Sequence, residues 1–388
     1  MSDEAKLTAI RHELPATTES VYLNTGTCGP LPRRTVAAIQ AEIQHELLHG
    51  RIAFADFERL LAMIDDLRAA FGRLLGADPA ELALTHHTSE GMNIGTWALN
   101  WRPGDELITT TLEHEGGLMP AYVLGRRLGV TVKVVELGVG QDDVVGRLEA
   151  AVTSRTRLIS VSHVSFISGA KLPLAEIVEM AHRRGVLVLV DGAQSAGAMP
   201  IDLHALGVDL YAVPGQKWLC GPEGVGALYV RRDRLSEVQP TFTGFASLWP
   251  AMAIDTTGEY MLTADARRYE VGTVFRPAIA GMRESLRWLE EGVGWDWIYS
   301  RIADLARQAA GMLAELPGVH VLTPPERAGL ISFRVDGWKP EDVVNQLAQH
   351  RIRIRSVHGL ACLRVSTGFY TTREDLLQLR DRLAETTR

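Results

Sequence analysis

The sequence predicts an α/β protein in which a doubly wound large domain is followed by a smaller α/β domain. Three observations predict it. From residue 82 to residue 213 short apolar runs alternate with helical stretches, the rhythm of βαβ units. Runs such as VLVLV at 186–190 are apolar on both faces, as parallel strands covered by helices on both sides are. The chain has 388 residues, and cores usually split beyond roughly 250–300 residues.

The elements follow in order. Residues 35–49 and 57–75 space their apolar side chains along one helix face, and Gly50 and Gly76 stop the two helices. Strands are expected at 82–85, 106–110, 131–137, 158–164, 186–190, 210–213 and 224–230. Residues 231–273 have no regular period, and TFTGFASLWP marks an active-site or interface excursion. Beyond it come helices over 283–316, strands at 320–322 and 330–335, and a helix at 340–350. Strands at 352–355 and 362–365 and a last helix from Thr372 complete the chain. The large domain is set at 26–280 and the small one at 281–388, with residues 1–25 packing on the small domain.

Composition narrows the function classes. Apolar residues at 46% and charged residues at 22% are ordinary for a globular protein. A net charge of −7, with the basic residues scattered, gives no nucleic-acid surface. Residues 1–8 lack the apolar core of a secretory signal and no apolar run reaches membrane-spanning length, so a cytoplasmic address with no membrane partner is expected. Cys28, Cys220 and Cys362 are odd in number and far apart, which argues against a disulfide framework or a thiolate zinc site. Only five residues are lysine: Lys6, Lys133, Lys171, Lys217 and Lys339. An imine-forming amine therefore has few candidates.

The segments VLVLVDGAQSAG and LYAVPGQKWLCGPEGVGALYV place Asp191 and Lys217 just beyond two buried strands, at the carboxyl edge where open α/β sheets bind ligands. Pyridoxal phosphate needs an amine for its Schiff base and a carboxylate to keep its ring nitrogen protonated. Lys217 and Asp191 suit those two roles. In HHTSEGMN at 86–93 a strand ends and a helix opens, so backbone N–H groups with the hydroxyls of Thr88 and Ser89 make a phosphate site or an ordinary helix cap. His114, directly after another strand, is placed to lay its ring on a cofactor face.

Taken in order, EH at 113–114, SHVSFISG at 162–169, VDGAQS at 190–195, GQKWLCGP at 215–222, VGT at 271–273 and LRVS at 363–366 resemble the class V aminotransferases of pyridoxal-phosphate fold type I. The resemblance covers residues 22–370. It implies a large domain with a mostly parallel seven-stranded sheet between helices, and a homodimer acting on a small amino acid. It further implies that Lys217 carries the cofactor, Asp191 pairs with the ring nitrogen, Gln194 with the ring hydroxyl, and His114 stacks on the ring. Thr88, Ser89 and Gln216 would hold the phosphate, and Thr273 would reach the phosphate of the neighbouring subunit. Arg364 would clamp the substrate carboxylate, a task for a planar two-pronged donor, with His163 and Asn24 bordering the substrate. The chemistry expected from this set is removal of the α proton by Lys217, with reprotonation by Lys217 or His114.

Departures sharpen the reaction class. His87 and Pro214 replace residues common around the family's phosphate cup. Cysteine desulfurases carry a nucleophilic cysteine on a mobile loop, whereas IRSVHGLACLRVS is short and sets Cys362 two residues before Arg364. The reading leans to carbon–sulfur cleavage of a cysteine-derived amino acid, a sulfoxide included, with aminotransfer or epimerisation as alternatives. HELLH at 45–49 also fits H-E-x-x-H, with His45 and His49 on one helix face, Glu46 as base and Glu58 as a conceivable third ligand. Ile52 stands where the extended motif needs glycine, so a zinc peptidase is the remote alternative and no metal is expected.

Overall fold

The computed structural model describes residues 2–248 and 254–386. Trp249 and Pro250 of the TFTGFASLWP segment lie outside the described residues. The strands are β1 (Val21–Tyr22), β2 (Leu82–Thr85), β3 (Glu106–Thr110), β4 (Thr131–Val135), β5 (Thr156–Ser162), β6 (Leu187–Asp191), β7 (Leu210–Pro214) and β8 (Gly226–Val230). They continue with β9 (Val319–Val321), β10 (Leu330–Val335), β11 (Ile352–Arg353), β12 (Arg355–Val357) and β13 (Cys362–Ser366).

Seven strands form one sheet in the order β2-β8-β7-β6-β5-β3-β4, in which only β8 runs against the others. The chain therefore has the α/β architecture of fold type I. Strands β5 to β8 are almost wholly buried because helices cover both faces, which is why β6, β7 and β8 read as near-continuous apolar runs rather than alternating ones. One core cluster joins β6 and β7 to the helices Phe54–Leu75 and Leu174–Arg183, and a second fills the opposite face around Leu189, Leu210 and Leu228.

The helix Arg33–His49 ends on Gly50 and the helix Phe54–Leu75 on Gly76, both at positive φ. A second sheet, β12-β13-β10-β9, packs on the helices Trp295–Ala314, Pro340–Gln349 and Arg373–Thr386 around a separate core. The segment joining the cores is helical without a break in packing. The helix Arg276–Arg287 and a π turn at Trp288–Val293 belong to the large core, and only from Leu305 does the next helix enter the small one. A boundary at 280/281 thus falls inside a helix. The N-terminal segment also divides: β1 pairs with β11 of the small unit, while Ile10 and Leu14 sit in the large core.

Candidate active site

Four strand ends converge. β2 leads into the helix Thr88–Trp97, β3 into His114, β6 ends on Asp191, and β7 ends on Pro214, three residues before Lys217. With the loops after β1 and β5 and the hairpin β12–β13 they enclose a cavity of about 240 Å³. Its lining includes Thr88, Ser89, His114, Asp191, Gln194, Gln216, Lys217 and Arg364. The structure therefore brings together eight of the eleven residues expected from the sequence.

Lys217 lies in a loop against which the chain 24–29 folds closely. Gly29 N–H donates to the Gln216 carbonyl at 2.8 Å, and a Cβ at Gly29 would stand only 2.2 Å from the Lys217 carbonyl, so this approach requires glycine. Burial lowers the Lys217 ammonium to about 8; the charge of Asp191 opposes the shift and that of Arg364 adds to it. Asp191 is buried and accepts from Ala193 N–H at 2.9 Å. Gln194 donates to the Gly26 carbonyl at 2.8 Å and accepts from Trp218 Nε1 at 3.1 Å, which fixes the amide while leaving its second N–H.

His114 caps the helix Glu115–Leu128, its Nδ1 accepting from Gly116 N–H at 3.0 Å, so the neutral ring carries its proton on Nε2. Burial, then the charge of Lys217, lowers its pKa. The ring meets Phe166 edge-on with centroids 4.7 Å apart. At the other wall the helix Thr88–Trp97 is capped by His87, whose Nδ1 accepts from Glu90 N–H at 3.1 Å. Thr88 is thereby released from the capping role: its Oγ1 is buried without a partner.

Arg364, fully buried on β13, donates from Nη1 to the Phe166 carbonyl at 2.8 Å and has no partner for Nε. Arg355 is its register partner on β12. Burial, then the neighbouring Arg355, brings the Arg364 guanidinium down to about 9. Among the described residues neither arginine has a carboxylate partner. A fully buried guanidinium with a half-buried one beside it, neither with a counter-charge, is a seat for an anion.

Sequence reasoning missed Arg355, along with Thr27, whose hydroxyl both arginines reach. Counting outward from the turn at 358–361 would have found Arg355, since β12 and β13 form a hairpin in which Val357 faces Cys362 and Arg355 faces Arg364.

Three expected residues stand elsewhere. His163 does not border the cavity: its Nδ1 meets Tyr211 OH at 2.8 Å and its ring lines a groove with Lys171 and Pro324. It follows the last residue of β5, and successive side chains leave a strand on opposite sides. Burial, then Lys171, holds its pKa down to about 3. Asn24 stands one step back, its Oδ1 accepting from Thr27 Oγ1 at 2.8 Å. Thr273 is exposed in a different groove, beside Phe245 and Val271.

None of the three thiols lines the cavity, although Cys28 lies near enough to Lys217 for their charges to interact. Cys362 is buried against Phe166, Ile167 and Val357, and burial raises its pKa. Burial also raises the thiols of Cys220 and, with Glu223, Cys28. In the HELLH helix His45 pairs with Asp56 at 3.0 Å, and among the described residues no group of three or more His, Cys, Asp or Glu side chains is arranged to hold a metal.

The cavity fits pyridoxal phosphate on its own chemistry. A lone amine and a carboxylate share it, and of the residues lining it Thr88 Oγ1 and Arg364 Nε are buried donors without partners. The model of the family described as aminotransferase class V matches residues 21–379. The chain belongs to that family. It is a pyridoxal-phosphate-dependent enzyme.

Solved relatives share the whole fold. A lysine-to-alanine variant of C-DES, with glycine covalently linked to its cofactor, is 32% identical with a TM-score of 0.91, covering 97% of this chain and 99% of that one. The cystine C–S lyase C-DES in complex with its reaction product cysteine persulfide is 32% identical with a TM-score of 0.90, covering 96% and 99%. A probable cysteine desulfurase of Methanothermobacter thermautotrophicus is 29% identical over 393 residues, 97% of each chain. No helix among the described residues is long and apolar enough to cross a membrane.

Proposed function

We propose that this enzyme cleaves the carbon–sulfur bond of a cysteine-derived amino acid, with cystine as the favoured substrate. The observation that carries the reading is the pair Arg355 and Arg364, two uncompensated cations at one wall of the cavity. One carboxylate would satisfy Arg364, and the second carboxylate of a cystine would satisfy Arg355. A disulfide, rather than the sulfoxide also considered, is supported by the likeness to a cystine lyase.

In this reading Lys217 binds the cofactor, Asp191 holds its ring nitrogen, Gln194 its ring hydroxyl and His114 its face. Thr88, Ser89 and Gln216 receive the phosphate at a helix N-terminus, where the dipole favours an anion. Pyridoxal phosphate supplies an electron sink for the carbanion left when the α proton departs. The freed Lys217 amine takes that proton, and its lowered proton affinity leaves it able to return it near neutral pH. Arg364 and Arg355 fix the carboxylates so that the C–S bond is held in place, and sulfur leaves as the persulfide. The balance is cystine and water to pyruvate, ammonia and cysteine persulfide.

Cleavage of this kind needs no enzyme thiol. Cys362 lies in an apolar cluster with its Sγ at the Ile167 carbonyl and does not line the cavity, which argues against a cysteine-persulfide route through it. We further propose a homodimer. Exposed apolar residues, including Phe242, Met119 and Val271, line a groove that shares His87 with the cavity, and Phe275 is exposed two residues beyond Thr273. A second copy there would bring its Thr273 hydroxyl to the phosphate end.

The test offers cystine, S-substituted cysteines and their sulfoxides, and separately an amine donor with a keto acid, and follows pyruvate, persulfide and new amino acid. Pyruvate with persulfide from cystine is expected. Amino-group transfer without pyruvate would sink the lyase reading.

A further inference from the structure

Behind the cavity wall lies an acidic group to which the proposed chemistry gives no task. Glu113 follows β3 and precedes His114 in the chain, and it is 5% exposed. Its Oε1 accepts from Thr110 Oγ1 at 2.5 Å and its Oε2 from Ser162 Oγ at 2.6 Å. Ser162 is the sheet partner of Asp191 across β5 and β6. The carboxyl thus links the two residues assigned to the cofactor ring: His114 through the chain and Asp191 through the sheet. Its hydrogen bonds leave it little freedom, and a carboxyl is an expensive group to bury merely as filler.

We propose that Glu113 is a positioning residue for the cofactor, fixing the turn that presents His114 and, when ionised, adding negative potential behind Asp191 that keeps the ring nitrogen protonated. The inference rests on the proposed pairing of Asp191 with that nitrogen.

Burial first, and the charge of Asp191 with it, raises the Glu113 carboxyl to about 7, against the pull of the two hydroxyls. The titratable groups around it are few. Asp191 faces it from the end of β6; the His114 ring turns from it to the cavity; and the His163 ring, beyond Ser162, turns to Tyr211. The sign follows. Below pH 7 Glu113 is neutral and adds nothing; above it, the anion repels Asp191 until a protonated ring nitrogen arrives. Cofactor binding relieves that repulsion, so it gains from the anion only as pH rises through about 7.

The test measures the dissociation constant of pyridoxal phosphate from the full-length protein between pH 6 and pH 8.5. Glu113→Gln, which keeps the shape without the charge, is expected to match the wild type near pH 6 and to bind about tenfold more weakly at pH 8. Ser162→Ala removes one donor to the carboxylate and is expected to move the midpoint of the wild-type pH dependence upward. A Glu113→Gln ratio that does not change with pH overturns the proposal. Should that variant not fold, a Ser162→Ala to wild-type ratio of dissociation constants that stays constant from pH 6 to pH 8.5 overturns it by itself, since the titration of Lys217 is common to both. Asp191→Asn separates the two layers: unaltered affinity there would refute the ring-nitrogen pairing, whereas weakened affinity with a pH-independent Glu113→Gln ratio would refute only the part given to Glu113.

Discussion

Arg355 and Arg364 stand opposite each other on β12 and β13, and both reach the Oγ1 of Thr27, at 3.2 and 3.5 Å. Two guanidinium groups held on one hydroxyl repel each other, and a dianionic substrate relieves that repulsion. Arg364→Gln is expected to raise KM for cystine about ten- to a hundredfold, the usual loss for a charge-assisted contact. Arg355→Gln is expected to raise KM for cystine but not for S-methylcysteine, which has one carboxylate. Steady-state kinetics on both substrates checks this. An equal effect of Arg355→Gln on the two would remove the second-carboxylate assignment.

The same pair marks where sequence reasoning stops. Asp191 and Lys217 were legible because each follows a continuous apolar run, and such runs end at the sheet edge that binds ligands. Arg364 was reached through the family resemblance, and Arg355 was missed because its placement depends on hairpin register, which the short turn at 358–361 decides. His163 failed for the opposite reason. The motif is continuous, but alternation sends Ser162 to Glu113 and His163 to Tyr211. The domain boundary was invisible since helical periodicity runs on from Arg276 while the buried partners change from one core to the other.

Loading of the cofactor is expected to report the depressed Lys217 amine. Only the neutral amine attacks the aldehyde, so the loading rate should rise about tenfold per pH unit below pH 8 and level off above it. An ordinary lysine would not level off until above pH 10. Stopped-flow absorbance of apo-protein mixed with pyridoxal phosphate gives the profile. Lys217→Ala should abolish the band that hydride reduction fixes to the chain, with a rate still climbing at pH 9 in the wild type counting against this assignment.

Thr88→Val separates a ligand contact from a fold contact. The hydroxyl is buried without a partner in the chain, because His87 has taken the cap, so its removal leaves nothing unsatisfied. The apo-protein should keep its Tm within about 2 °C while the affinity for pyridoxal phosphate falls about two- to tenfold. Thermal unfolding with and without cofactor checks both parts. A lowered apo Tm with unchanged affinity would return Thr88 to a structural role.

Thr273 tests whether the site is completed by a second copy. It is exposed and lies outside the cavity of its own chain, so in a monomer Thr273→Val should leave cofactor affinity untouched. Phe242 and Phe275 are 70% and 65% exposed on the face proposed to be shared, and charges there should split the dimer. The expected pattern is therefore a coupling. Thr273→Val weakens binding about two- to tenfold in the wild-type background and has no effect in a Phe242→Glu, Phe275→Glu background shown by sedimentation to be monomeric. Equal losses in both backgrounds would place the contact within one chain, and no loss in either would leave the phosphate to Thr88, Ser89 and Gln216.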